Sequence, residues 1–171
     1  MNLNLLSESV LETKISDWQY ADYYMLSSTT EFWSNAFIAI ISKSFIKNQE
    51  LAFVNLAGFI AMDGDLTHIT EANVTIKEFI LFLQTDCYLP HLEGQQISIQ
   101  IFWDNFFAIY NGIIEDQNST CNKNGVKISF EIPFIKEDVL NVIAFDDRWN
   151  QKMYFIEMHN SWEVFYWSTP A

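Results

Sequence analysis

The chain has 171 residues, half of them hydrophobic, 18% charged and 16% aromatic, which is one domain's length with ample core-forming material and excludes a disordered chain. Acids outnumber bases 22 to 9, for a formal net charge of -13, and Arg148 is the single arginine. Phosphate backbones are bound through Lys and Arg, with Arg supplying the bidentate contact, so neither direct nucleic-acid binding nor docking on an anionic membrane is expected.

In chain order, a short helix is expected around residues 7–15. Residues 27–31, Ser-Ser-Thr-Thr-Glu, offer hydroxyl caps and an acid in a first turn. Phe32, Phe37, Ile40, Ile41, Ser44 and Phe45 then recur at near-helical spacing, which predicts a helix to about Lys47. Residues 51–62 are apolar almost throughout, and periodicity does not separate helix from buried strand there. Asp63-Gly64-Asp65 reads as a turn. Thr75 and Glu78 fit a capping box, and Ile76, Phe79, Ile80 and Leu83 mark one face of a helix that stops before Pro90.

Beyond that point the period changes. Ile97, Ile99, Ile101 and Trp103 alternate with polar residues, predicting a half-buried strand, with a turn at Asp104-Asn105 and a second strand over 106–114. Residues 115–125 read as a polar loop. Val126, Ile128, Phe130 and Ile132 alternate as a further strand, and 136–143 as a short helix. A turn is expected over 146–150, then a hairpin of 153–158 and 162–167 around His159-Asn160-Ser161. Both faces of that hairpin are apolar, so it is central in a sheet or has a covered face. The expected architecture is a single α+β domain over 1–171. Its helices lie mainly in the N-terminal half, packed on a mainly antiparallel sheet from the C-terminal half. The other sheet face is left free to meet solvent.

Little in the chain points to chemistry. His68, His91 and His159 fall in no metal-ligand spacing. Asp63-Gly64-Asp65 opens like a calcium loop, but His68 stands where Gly is needed and Val74 where the closing Glu belongs. There is no nucleophile elbow and no glycine-rich phosphate cradle. Adjacent acids (Glu115-Asp116, Glu137-Asp138, Asp146-Asp147) are ordinary among 22 carboxylates. No catalytic residue, metal or cofactor is expected, and hence no enzyme. Two cysteines, Cys87 and Cys121, make no disulfide framework. The N-terminus lacks the basic and apolar regions of a secretory signal, and no apolar stretch approaches the ~20 residues of a membrane span. The expected compartment is the cytoplasm.

The aromatic content is the unusual feature: six Trp, seven Tyr and fifteen Phe. Acids interleave with aromatics around Asp17, Trp18 and Asp22 and again at Asp146, Asp147 and Trp149, the composition of an interface with aromatic anchors and an acidic rim. Spread evenly over the roughly 8,700 Å² of a chain this size, the net charge puts little more than one unit in one partner's ~800 Å² share of a standard interface. Recognition by charge therefore requires clustering.

The expected function is a small acidic inhibitor, immunity- or antitoxin-like. It would neutralise a basic protein partner, such as a nuclease toxin or a nucleic-acid-directed enzyme, by covering its cleft. The expected partner-binding residues are Asp17, Trp18, Asp22, Asp63, Asp65, Glu115, Asp116, Asp146, Asp147 and Trp149, and reversal of Asp146 and Asp147 to Lys is expected to weaken binding without unfolding. The alternatives are an acidic secretion chaperone, which would need a dimer and an apolar groove, a nucleic-acid mimic, and a ligand-binding or enzymatic α+β domain with an aromatic-lined pocket. Oligomeric state is not legible in the sequence.

Overall fold

A computed structural model describes residues 1–14, 21–27, 34–62, 74–85, 92–121 and 136–169. Its six strands are β1 (Ala21–Ser27), β2 (Asn35–Ser42), β3 (Gln95–Ile97), β4 (Val139–Arg148), β5 (Gln151–Met158) and β6 (Ser161–Ser168). They form one antiparallel sheet in the order β1-β2-β6-β5-β4-β3. The described helices are α1 (Glu8–Leu11), α2 (Gln49–Met62), α3 (Ile76–Thr85) and α4 (Ile99–Cys121), with 3-10 turns at Leu3–Leu5 and Lys136–Asp138. This is the α+β arrangement that the sequence implies.

The expected hairpin is present as β5–β6 and is central, with β2 on one side and β4 on the other. Its two apolar faces have separate partners. Met153, Phe155, Trp162 and Val164 join Phe53 and Leu56 of α2 and Phe79 and Leu83 of α3 in one core. Tyr154, Ile156 and Phe165 join Phe102, Trp103, Phe106 and Ile113 of α4 in the other. The expectation of a solvent-facing sheet surface is thereby corrected: helices cover both faces.

Local chemistry explains the helix starts. At α3 the Thr75 backbone N–H donates to Glu78 Oε2 at 2.8 Å and the Glu78 N–H donates to Thr75 Oγ1 at 3.3 Å, the reciprocal bonds of a capping box. These bonds hold the Glu78 carboxyl below its ordinary range. At α2, Asn48 Oδ1 accepts from the Leu51 N–H at 2.8 Å. Every residue from Ala52 to Gly58 is then buried, so α2 carries no polar stripe from which helical period could be read.

Several element boundaries differ from expectation. The helix expected to about Lys47 is strand β2. Ala36 and Ile38 face the α4 core, while Ala39 and Ile41 face the α2–α3 core, so both faces are apolar and no alternation marks the strand. The two strands expected over 97–103 and 106–114 are β3 followed by a single helix, α4. Its buried residues Phe102, Trp103, Phe106 and Ile113 form one stripe, and Gln100, Asp104, Ala108, Asn111 and Glu115 form the exposed one. The polar loop expected from 115 is helix as far as Cys121. The helix expected over 136–143 is one 3-10 turn and then β4, and β4 runs on through Arg148 so that the turn is Trp149-Asn150. The expected turn at 63–65 and strand at 126–132 lie outside the described residues.

Candidate functional site

Of the ten expected contact residues, the structure brings three together, at the turn between β4 and β5. A bulge between Ala144 and Asp146 shifts the register of β4, and the strand then pairs Asp147 with Lys152 and Arg148 with Gln151. Asp146 is 3% exposed. Arg148 folds back over it: Nε donates to Oδ1 at 3.0 Å and to Oδ2 at 3.1 Å, and Nη2 donates to Oδ2 at 2.5 Å. That charge-assisted bonding raises the Arg148 pKa above its ordinary value.

Asp147 has a different environment. Lys152 Nζ donates to its Oδ1 at 2.8 Å and to its backbone carbonyl at 3.0 Å. The Tyr154 hydroxyl donates to the same Oδ1 and accepts from Asn105 Nδ2 of α4 at 2.9 Å. Burial, with Asp147 adding to it, pushes the Tyr154 phenol well above its ordinary value, so it stays a proton donor across physiological pH. Both internal bonds to the Asp147 side chain end on Oδ1, which leaves Oδ2 to solvent or to an incoming cation. Beside this network Trp149 is 73% exposed.

The site is therefore an indole held in solvent on a braced turn. Each acid of the turn is matched by a cation, Asp146 by Arg148 and Asp147 by Lys152, so the turn itself has no net charge. The residues that complete it (Asn105, Arg148, Lys152 and Tyr154) were not among the expected contacts. Once the turn is placed at Trp149-Asn150, hairpin register alone pairs Lys152 with Asp147, but the bulge and the reach of α4 to Tyr154 have no sequence signature.

The other expected residues are elsewhere. Asp22 is exposed on β1, the far edge of the sheet from β3, and pairs with Ile40. Glu115 is on the exposed stripe of α4, roughly 15 Å of helix rise beyond Asn105. Asp116 follows it in α4. Asp17, Trp18, Asp63 and Asp65 lie outside the described residues.

The aromatic surplus is largely accounted for by the two cores. Trp103, Tyr154, Phe53, Phe79, Phe102, Phe106, Phe155 and Phe165 are all essentially inaccessible. One acid, Glu163, is buried among them at 2% exposure, paired across the sheet with Ile40 and Ile156. Ser161 Oγ donates to its Oε1 at 3.2 Å, and Oε2 has no hydrogen-bond partner among the described residues. Burial pushes its pKa up to about 8, with Asp138 adding to the rise, so the group is mostly a neutral acid at pH 7. Its position inside Trp162-Glu163-Val164-Phe165 was the available signal.

Among the described residues, no group of three His, Cys, Asp or Glu is placed to hold a metal ion. No described helix is long and apolar enough to cross a membrane. No protein-family model, curated protein or solved structure matches the chain.

Proposed function

We propose that the protein is an inhibitor of a basic protein partner, of the immunity or antitoxin type, and that the Trp149 turn anchors the complex. The observation that carries this reading is the 73% exposure of Trp149 on a turn whose neighbours are fixed by the Tyr154–Asp147 and Arg148–Asp146 bonds. An exposed indole on a braced turn costs little backbone entropy on binding and gains a large buried area. Charge then acts at two ranges. The net charge of -13 steers a basic partner during approach, an effect that salt weakens. At contact, Asp147 Oδ2 accepts a partner Lys or Arg.

The test is capture from native lysate at low and high salt, followed by an assay of the captured protein. The reading expects one stoichiometric basic partner, weakened by salt, whose activity on nucleic acid is abolished at equimolar inhibitor. Truncation of Trp149 to Ala should then raise Kd about thirtyfold, the effect of losing a ~2 kcal/mol hot spot. A partner indifferent both to salt and to Trp149 would refute it.

A further inference from the structure

The two cores that flank the sheet differ in one respect. Along β6, Trp162 and Val164 face the α2–α3 core, so Glu163 between them faces the other core, as Phe165 does. Its cross-strand neighbours, Ile40 of β2 and Ile156 of β5, pack on that same face. The layer over this face is α4, through Phe102, Trp103, Phe106 and Ile113. Asp146, the other buried acid among the described residues, is paired with Arg148. No described cation pairs with Glu163.

The charged groups of the surrounding elements offer it no counter-ion. Lys43, after β2, and Glu157 of β5 bond to each other, and Lys43 lies over the ring of Trp162, which belongs to the opposite core. Lys136, ahead of β4, sits over the Trp103 ring, while Asp138 of the same turn adds repulsion. Asp104 and Glu115 of α4 are on its exposed stripe. The Tyr154 phenol of β5 is neutral and donates to Asp147. A carboxylate in this position would have neither water nor a cation, so the closed protein retains the proton.

Helix α4 is also joined so that it can move alone. Its backbone bonds are internal to the helix, and its departure would break none of the strand pairing. It starts at Ser98, whose Oγ accepts from the Ile101 N–H and whose carbonyl accepts from the Phe102 N–H, each at 3.1 Å. Ahead of Ser98 is β3, three residues at the sheet edge.

We propose that α4 is a proton-linked cover: it separates from the sheet as a unit about Ser98, each opening passes the Glu163 carboxyl proton to water, and the α2–α3 face stays closed. Opening also breaks the bond from Asn105 to the Tyr154 hydroxyl, which removes one brace from the Trp149 turn. The cover does not depend on the inhibitor reading, and either can fail without the other.

The linkage has a definite sign. Glu163 titrates at about 8 under α4 and at its ordinary 4.5 once water reaches it, so between those values only the open form has lost the proton. The population of open α4 therefore rises about tenfold per pH unit between roughly pH 5 and pH 8 and levels off above that range. The experiment is native-state hydrogen exchange of the full chain, read by mass spectrometry from pH 5.5 to pH 9 with the intrinsic rates divided out. Peptides of α4 should show the rise and the plateau, and peptides of α2 and α3 should show neither. Glu163→Gln, which keeps a neutral group of the same shape, should flatten the α4 profile. If that variant does not fold, the contrast between the two faces of the native chain decides. A flat α4 profile in the native chain, or a rise that survives in Glu163→Gln, would overturn the link to this acid. Equal rises in α2, α3 and α4 would overturn a cover that opens by itself.

Discussion

Glu163 sets a pH dependence whose sign follows from its burial. Its pKa rises from 4.5 to about 8 on folding, so between those values the native state holds a proton that the unfolded chain has released. The stabilisation is full below about pH 4.5 and is lost as the pH climbs through about 8. Its size is on the order of a few kcal/mol. Melting curves at pH 5 and pH 9 should show a large fall for the native protein and a much smaller one for Glu163→Gln, which keeps a neutral group in place. Equal falls in both would assign the effect to other groups. Neighbouring acids of the β4–β5 turn separate in the same way. Asp146→Lys would bury a cation against Arg148 and should cost about 3 kcal/mol or more, which corrects the expectation that this acid can be reversed without unfolding. Asp147→Asn keeps an acceptor for Tyr154 and Lys152 and should change stability by no more than about 1 kcal/mol, while still weakening partner affinity.

At the scale of elements, two glycines report on how tightly the pieces meet. A Cβ on Gly94 would lie 2.3 Å from Ile143 Cγ2 and 3.0 Å from the Phe145 ring, so Gly94→Ala should destabilise by about 1–3 kcal/mol. Gly112 faces open space on α4, and Gly112→Ala should stabilise by up to ~1 kcal/mol through helix propensity. Denaturant titration of both variants reads the two signs directly. The same elements show what a sequence can disclose. Helix α3 was legible because Thr75 and Glu78 carry its capping bonds in their own side chains and its face repeats cleanly. The β5–β6 hairpin was legible because doubly apolar strands require cover on both sides. Strand β2 was not, since Ala36 to Ile41 are apolar on both faces and their spacing also suits a helix. Nor was α4, where the short alternation from Ile97 to Trp103 obscures the longer stripe from Phe102 to Ile113. Of the site, Trp149 and Asp147 were legible as an aromatic beside an acid.

For the molecule as a whole, a net charge of -13 on 9441 Å² of surface is about one unit per 730 Å², too sparse to define an interface by itself. Its effects are global, and they oppose one another under salt. Screening relieves self-repulsion in the folded state, so Tm should rise between 50 and 500 mM NaCl on the order of a few degrees. Affinity for a basic partner should fall over the same range. Salt changing both in the same direction would contradict an electrostatic contribution to binding.

The placement of β6 governs the order in which the molecule can be assembled. It is the last of the six described strands in chain order, yet it is third in the sheet and bonded on both sides. While the polypeptide is being synthesised, β1 and β2 have each other but no neighbour to join until residues 161–168 leave the ribosome. During that interval β2, apolar on both faces, presents an unprotected edge of the kind that seeds aggregation. Joining the two parts closes one of the longest loops in the chain, which makes it a slow step. Pulse-labelled hydrogen exchange should therefore find the amides of β4, β5 and β6 protected before those of β1 and β2.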